Sequence, residues 1–319
     1  MLAAIEISTW HWIGFIAGVL IFVGLDLLLF HREAQRVTFR SALFWTGVCG
    51  LLAMGFGALL FFTRGKEEAT EFIAGYVIEL SLSMDNVFVI ALIFAYFRVP
   101  PEYQHRVLFV GFINALIMRG IIIGIGTAVV SEFHWVLYGL GVFLVYSGIK
   151  MLFSTEAGVH PEQNPAIKLA QKLLPVTTQF DGVRFWSRLD GRLALTPLTL
   201  VWLMVETTDL VFAVDSIPAV FAVTTKPFIV FTSNIFAILG LRSLYFVLVG
   251  AIEYFRYLKF GLSLVLVFVG LKMALEKWVV ISTATSLFVV GAILLSSVVA
   301  SIVLVKREPH GNLAPPPQT

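Results

Sequence analysis

Five carboxylates stand inside stretches that otherwise read as apolar: Glu79, Asp85, Glu206, Asp209 and Asp215. A charge at the centre of a bilayer helix costs roughly 2.5–3.5 kcal/mol or more, so each needs a reason to be there. Asn86, Asn114 and Asn234 add amide oxygens in the same stretches. The histidines all fall at segment ends or in loops, and Cys49 is the single cysteine. The donors on offer are therefore oxygens. Oxygen ligation suits Mn²⁺, Mg²⁺ or Ca²⁺ and disfavours Zn²⁺ and Cu⁺. Met84 and Met204 read as core filling rather than thioether ligands.

Arg119 and Arg242 are the intramembrane counter-charges. Five acids against two arginines leave a negative balance that a dication can fill. Protonating one or two acids would release that dication, so exchange of metal for protons is physically natural. The competing reading is a set of static bridges that lock the bundle. It is strongest for Asp26, near the end of the first apolar segment, and Lys150 and Lys272 sit where they can snorkel.

These residues need helices to carry them. The chain is 59% hydrophobic and 13% charged, about half the charge of a soluble domain. That composition predicts an all-α, polytopic membrane protein. Its net charge of +2 gives no basis for nucleic-acid binding. About nine segments of near-spanning length can be drawn, at 11–30, 41–62, 70–97, 106–130, 134–153, 194–222, 227–250, 257–276 and 280–305. The first lacks a basic leader and a cleavage site and reads as a span. Pro218 should kink the sixth beside Asp215. The connection 154–193 is rich in proline and basic charge. Within it Ala166–Leu174, AIKLAQKLL, reads either as a surface helix or as solvated linker. Residues 306–319 end in PPPQT and read as a disordered cytoplasmic tail.

The acidic stretches echo each other. DNVFVIALIFAYF from Asp85 aligns with DLVFAVDSIPAVF from Asp209, Arg119 with Arg242, and Gly139–Met151 with Gly261–Met273. Each unit holds three spans, so consecutive units enter the membrane from opposite sides. The resulting organisation is two amino-terminal helices over 1–69, a three-helix repeat over 70–153 and the loop 154–193. An inverted repeat over 194–276 and a last helix over 277–305 follow. Inverted repeats typify secondary transporters, with the site near the midplane. In that geometry Glu79 and Asp215 form an outer pair, Asp85 and Asp209 a central pair, and Glu206 an inner acid. One set of loops carries Arg32, Arg36, Arg40, Arg98, Arg106, Arg256 and Lys306 among others; the opposite set has only Arg64, Lys66, Lys226 and Lys277. The positive-inside rule then places the amino terminus outside and the carboxyl terminus in the cytoplasm.

The run LTPLTLVWLMVETTDLVFAVDSIPAVFAVTTKPFIVFTSNIFAILGLRSLYF (Leu195–Phe246), with IELSLSMDNVFV (Ile78–Val89), resembles the TerC/Alx family of integral membrane proteins. The resemblance covers most of 10–305. It implies membership of the LysE transporter superfamily and a bacterial inner-membrane location. It also implies Mn²⁺ export, beside an older association with tellurium resistance. It carries ligand roles onto Glu79, Asp85, Asn86, Glu206, Asp209 and Asp215; from the residues themselves, Arg119, Arg242, Asn114 and Asn234 are the expected supporting polar groups. The expected function is a secondary transporter for Mn²⁺, with Ca²⁺ or Mg²⁺ as the other candidates. Protons are the expected counter-ion and no cofactor is required. The alternative is a non-transporting membrane partner that helps metallate or assemble other proteins.

Enzyme readings fit poorly. No GxxxxGK[ST] is present for a nucleotide, and no GxGD-type segment for an intramembrane aspartyl protease. A tellurite oxyanion would want cations and amides rather than a net acidic centre, so a tellurium phenotype is expected to be indirect.

Overall fold

The structure, a computed structural model, describes residues 8–30, 39–153, 161–189, 191–249 and 258–307. Arg32, Arg36, Arg256 and the tail after Arg307 lie outside the described residues, as does the side chain of Asp26. Among the described residues the chain is all-α apart from one short hairpin. Its helices are α1 (Thr9–Phe30), α2 (Phe39–Arg64), α3 (Lys66–Tyr96), α4 (Pro101–Glu132), α5 (Val136–Phe153), α6 (Pro165–Leu173), α7 (Pro197–Phe221), α8 (Pro227–Val249), α9 (Leu258–Ala274) and α10 (Thr283–Arg307). Strands β1 (Trp186–Leu189) and β2 (Arg192–Leu195) pair antiparallel between α6 and α7. Among the described residues, seven helices are long and apolar enough to cross a bilayer: α2, α3, α4, α5, α7, α8 and α10. The protein is thus a polytopic membrane protein. The apolar helices α1 and α9 pack beside them.

Local chemistry sets the helix ends. Proline opens α4, α6 and α7, where its missing N–H costs nothing. Asn164 caps α6 by accepting from the amides of Ala166 and Ile167. α3 closes with Arg98 in the left-handed region at φ 52°; Arg98 N–H donates to Ala95 and Val99 N–H to Phe94. α7 runs continuously through Pro218.

Backbones come closest where α5 crosses α9. A Cβ on Gly141 would lie 2.9 Å from the Gly270 carbonyl oxygen, and one on Gly270 would lie 2.7 Å from that of Gly141. Seven residues along, a Cβ on Gly148 would meet the Ser263 carbonyl at 2.8 Å. Only glycine permits this approach, which is how apolar helices gain contact without a hydrophobic drive. Gly141 meets Gly270 while Gly148 meets Ser263, so α5 and α9 run antiparallel.

The contacts among α3, α4, α5, α7, α8 and α9 have a largely reciprocal form, α4–α5 and α7–α9 apart. Exchanging α3 with α7, α4 with α8 and α5 with α9 turns the α3–α8 contact into the α4–α7 contact, and α3–α9 into α5–α7. It leaves α3–α7, α4–α8 and α5–α9 unchanged, and all of these contacts occur. α3 meets α7 antiparallel, with Gly75 near Val220 and Asn86 near Asp209. α4 meets α7 in parallel, with Gly111 near Val205 and Gly126 near Phe221.

Two apolar clusters fill the interior. One gathers Ile78, Leu82, Ile123, Ala213, Ile217 and Val230. The other gathers Val87, Ile93, Val107, Val201, Val205 and Leu244. Arg119 on α4 and Asp209 on α7 lie between the positions claimed by the two clusters, and Glu79 on α3 lies between Ile78 and Leu82 of the first.

Candidate functional site

Those residues form a polar layer contributed by four helices. α3 supplies Glu79, Ser83 and Asn86, at spacings of four and three that share one face. α4 supplies Arg119, α7 supplies Asp209 and Ser216, and α8 supplies Asn234. Arg119 is the centre. Its guanidinium is 1% exposed and pairs with the fully buried Glu79. Its Nη1 also donates to Ser216 Oγ and Asn234 Oδ1, each at 3.3 Å. Nη2 reaches Asp209 Oδ1 at 3.5 Å, and Asn86 Nδ2 donates to the same oxygen at 3.5 Å. Asn234 passes its own amide hydrogen to the Val230 carbonyl.

The layer is incompletely satisfied. Glu79 Oε2, Asp209 Oδ2 and Asn86 Oδ1 are buried without a hydrogen-bond partner, as is Arg119 Nε. Buried polar atoms are nearly always paired, so these three oxygens are positions where a water or an ion would bond. Glu79 and Asp209 carry two negative charges against one on Arg119. With both ionised, the layer is short of positive charge in a medium where imbalance is expensive.

The other acids turn elsewhere. Glu206, one turn from Asp209, accepts from Trp202 Nε1 at 2.8 Å and from the Asn114 side chain. Asp215 accepts from Ser147 Oγ on α5 at 2.8 Å. Asp85 is half-buried and within Coulombic reach of Lys259 on α9. Arg242, which the repeat aligns with Arg119, lines a cleft with Phe22, Val23, Trp45 and Phe112. Among the described residues, no three Asp, Glu, His or Cys side chains converge to hold a metal ion.

The five acids therefore do not converge on one point. Glu79 and Asp209 share Arg119, Asp215 bonds Ser147 instead, and Asn86 rather than Asp85 donates to Asp209. Helical rotation is the reason. Asp85 is one residue and about 100° from Asn86. Asp215 is six residues and about 600° from Asp209, leaving it 240° away around α7. Ser83 and Ser216 were not singled out from the sequence. Their signals were spacing: Ser83 is four after Glu79, and Ser216 seven after Asp209.

A second polar region lies where α3 begins and α7 turns into α8. Lys226 Nζ sits 3.2 Å from Glu71, 3.6 Å from Glu68 and 3.7 Å from Glu67. Arg64 also pairs with Glu68, and Thr224 donates to Glu71 at 2.9 Å. Glu71, Thr224 and Lys226 border a cavity of about 270 Å³ that also meets His134, Lys272 and Glu276.

The family model described as "Integral membrane protein TerC family" matches residues 64–309, which include every residue of both polar regions. The chain belongs to the TerC family. Similar proteins match along nearly the whole length. An "Uncharacterized membrane protein STKORF319" of Myxococcus xanthus is 48% identical over 96% of each chain. The "Putative membrane-bound redox modulator Alx" of Escherichia coli K12 is 44% identical over 89% of this chain and 91% of its own. An "Uncharacterized membrane protein" of Rickettsia felis is 37% identical over 92% and 97%. No solved structure matches the chain. In this TerC-family chain the signature stretches from Ile78 and Leu195 supply Glu79, Asn86, Asp209, Ser216 and Asn234, while α4 contributes Arg119.

Proposed function

We propose that the protein is a secondary transporter for a divalent metal cation, with Mn²⁺ as the ion and efflux as the direction that the family resemblance favours. One observation carries it: three carboxylate and amide oxygens, on Glu79, Asn86 and Asp209, are buried without partners around a single arginine. Oxygen donors of this kind select hard or borderline dications, Mn²⁺ foremost here and Ca²⁺ or Mg²⁺ by the same chemistry. Charge balance points the same way. A dication plus Arg119 neutralises three carboxylates, and Glu206, one turn from Asp209, is the third. In the arrangement described, Arg119 covers the acids itself. On binding, the ion takes over Glu79 and Asp209, draws Glu206 away from Trp202, and leaves Arg119 with Ser216 and Asn234. Protons arriving on the same carboxylates reverse the exchange.

The apolar clusters on either side of the layer suit an occluded state, which alternating access requires. The reciprocal contacts of α3–α5 with α7–α9 support inverted repeats, and the two halves would rock about the layer. Loop charge supports an outside amino terminus and a cytoplasmic carboxyl terminus, and the bacterial relatives support the inner membrane. Export as the direction rests on the family resemblance. For the redox role in one relative's name, a dithiol mechanism within the chain would need a second cysteine besides Cys49. Tellurium resistance would be indirect, because an oxyanion would meet Glu79 and Asp209.

The test is flux. Purified protein in liposomes should move Mn²⁺ down a gradient and respond to an imposed proton gradient. Glu79→Gln and Asp209→Asn should each lower the rate at least a hundredfold. Folded protein with no flux would sink the proposal in favour of a non-transporting partner.

A further inference from the structure

We propose that the insert between α5 and α7 is a docking surface for the anionic phospholipid headgroups of the adjoining bilayer leaflet. The observation is an interleaving of exposed apolar and cationic side chains on a segment fastened to the membrane domain. On α6, Leu169 and Leu173 form an i, i+4 stripe, 59% and 71% exposed. Lys168 and Lys172 form an adjacent exposed stripe about 100° around. The opposite side buries Ile167. The hairpin repeats the pattern. Trp186, Leu189 and Leu193 are exposed beside exposed Arg188 and Arg192, with Arg188 opposite Leu193 and Leu189 opposite Arg192.

A purely solvated loop has no use for five large exposed apolar side chains. A helix embedded in hydrocarbon has no use for the lysines. A headgroup layer accepts both, since alkyl and indole groups enter the acyl boundary while ammonium and guanidinium groups meet phosphates. The acids described in the insert are Glu162 and Asp181, and Arg184 already pairs with Asp181 at 3.7 Å. Among the described residues, no acid pairs with Lys168, Lys172, Arg188 or Arg192, and these four cations face outward for lipid.

Position agrees with this occupant. Asn164, at the start of α6, donates to Thr207 Oγ1 of α7 at 2.6 Å. Thr196 donates to the Arg184 and Phe185 carbonyls at the hairpin root, and the Phe185 ring packs on Trp202. The insert is therefore fastened to α7 from its first turn to Thr207, on the side of the membrane from which α7 enters. It is attached through Thr207 next to Glu206. Lipid bound here acts on the helix that carries the acids, whatever the transported species.

Hydrogen–deuterium exchange on the full chain tests the idea. One arm uses nanodiscs of phosphatidylcholine, a second adds phosphatidylglycerol, and a third adds inorganic phosphate to the neutral discs. Each cation near an anionic surface contributes about fivefold in binding, so amides of α6 and the hairpin should exchange about tenfold slower or more with phosphatidylglycerol. The variant K168Q/K172Q/R188Q/R192Q should lose that difference while α3 and α8 exchange as in the parent. Equal exchange in neutral and anionic discs would overturn the proposal. So would an undiminished difference in the variant, or equal protection by free phosphate, which would indicate a soluble-anion site.

Discussion

Arg119 and Lys226 each set one cation against more than one carboxylate, and each ties α3 to the second half of the chain. They differ in water. Arg119 is sealed between apolar clusters, and its partners retain unpaired buried oxygens. Lys226 is 37% exposed beside a cavity, and Thr224 and Arg64 complete its acids. Solvent screening makes the second group a strap between helix ends. Its absence makes the first a place where adding or removing one charge changes the whole balance. The arrangement that looks weaker by hydrogen-bond geometry is therefore the better candidate for moving an ion.

The largest effect should come from Arg119→Ala. It leaves Glu79 and Asp209 buried without a counter-charge, which costs about 3–5 kcal/mol for an ion pair broken on one side. Thermal unfolding in detergent should show a large drop. Adding Glu79→Gln to Arg119→Ala should restore part of the loss, because it removes the more deeply buried of the two stranded charges, yet flux should stay absent. A double variant no more stable than Arg119→Ala would break the view that charge imbalance governs this layer.

Next in size is the contrast between Asp209 and Asp85. The chain aligns them as repeat equivalents, but only Asp209 joins Arg119. Asp209→Asn should abolish Mn²⁺ movement, whereas Asp85→Asn should leave a measurable rate, reduced about tenfold or less. Equal loss from both would mean that Asp85 enters the layer in another conformation, and the central pair expected from the sequence would return.

That contrast marks how far the sequence could be read. Composition and segment length made the all-α membrane class legible, because the bilayer constrains every residue of a span alike. The acids and Arg119 were legible because a charge in such a span stands out. Which acids meet was less so, since it depends on rotation about each helix axis. The i, i+4, i+7 run of Glu79, Ser83 and Asn86 shows that face, and Asp85 falls off it. Arg242 shows the limit of repeat logic: the same motif position on α8 faces α1 and α2, which have no counterpart before α7. The hairpin Trp186–Leu195 gave little warning, for its four-residue strands lie in a segment marked mainly by proline and charge. α6 was one of two readings of its stretch, and Asn164 as cap decided for the helix.

The smallest effect belongs to Lys226, and salt is the way to read it. Lys226→Ala should cost about 1 kcal/mol or less, in the range of solvent-exposed ion pairs. Raising ionic strength to about 1 M shortens the screening length to about 3 Å, comparable to the Lys226–Glu71 separation. The parent protein should therefore lose a little thermal stability with salt, and Lys226→Ala should lose almost none, so their melting curves converge. Arg119, out of reach of mobile ions, should contribute no salt dependence. Glu79→Gln should accordingly track the parent's salt response, displaced by a constant. If Glu79→Gln instead flattened the salt dependence, the Arg119 layer would be open to bulk ions. The division between a screened strap and a sealed exchange site would then fail.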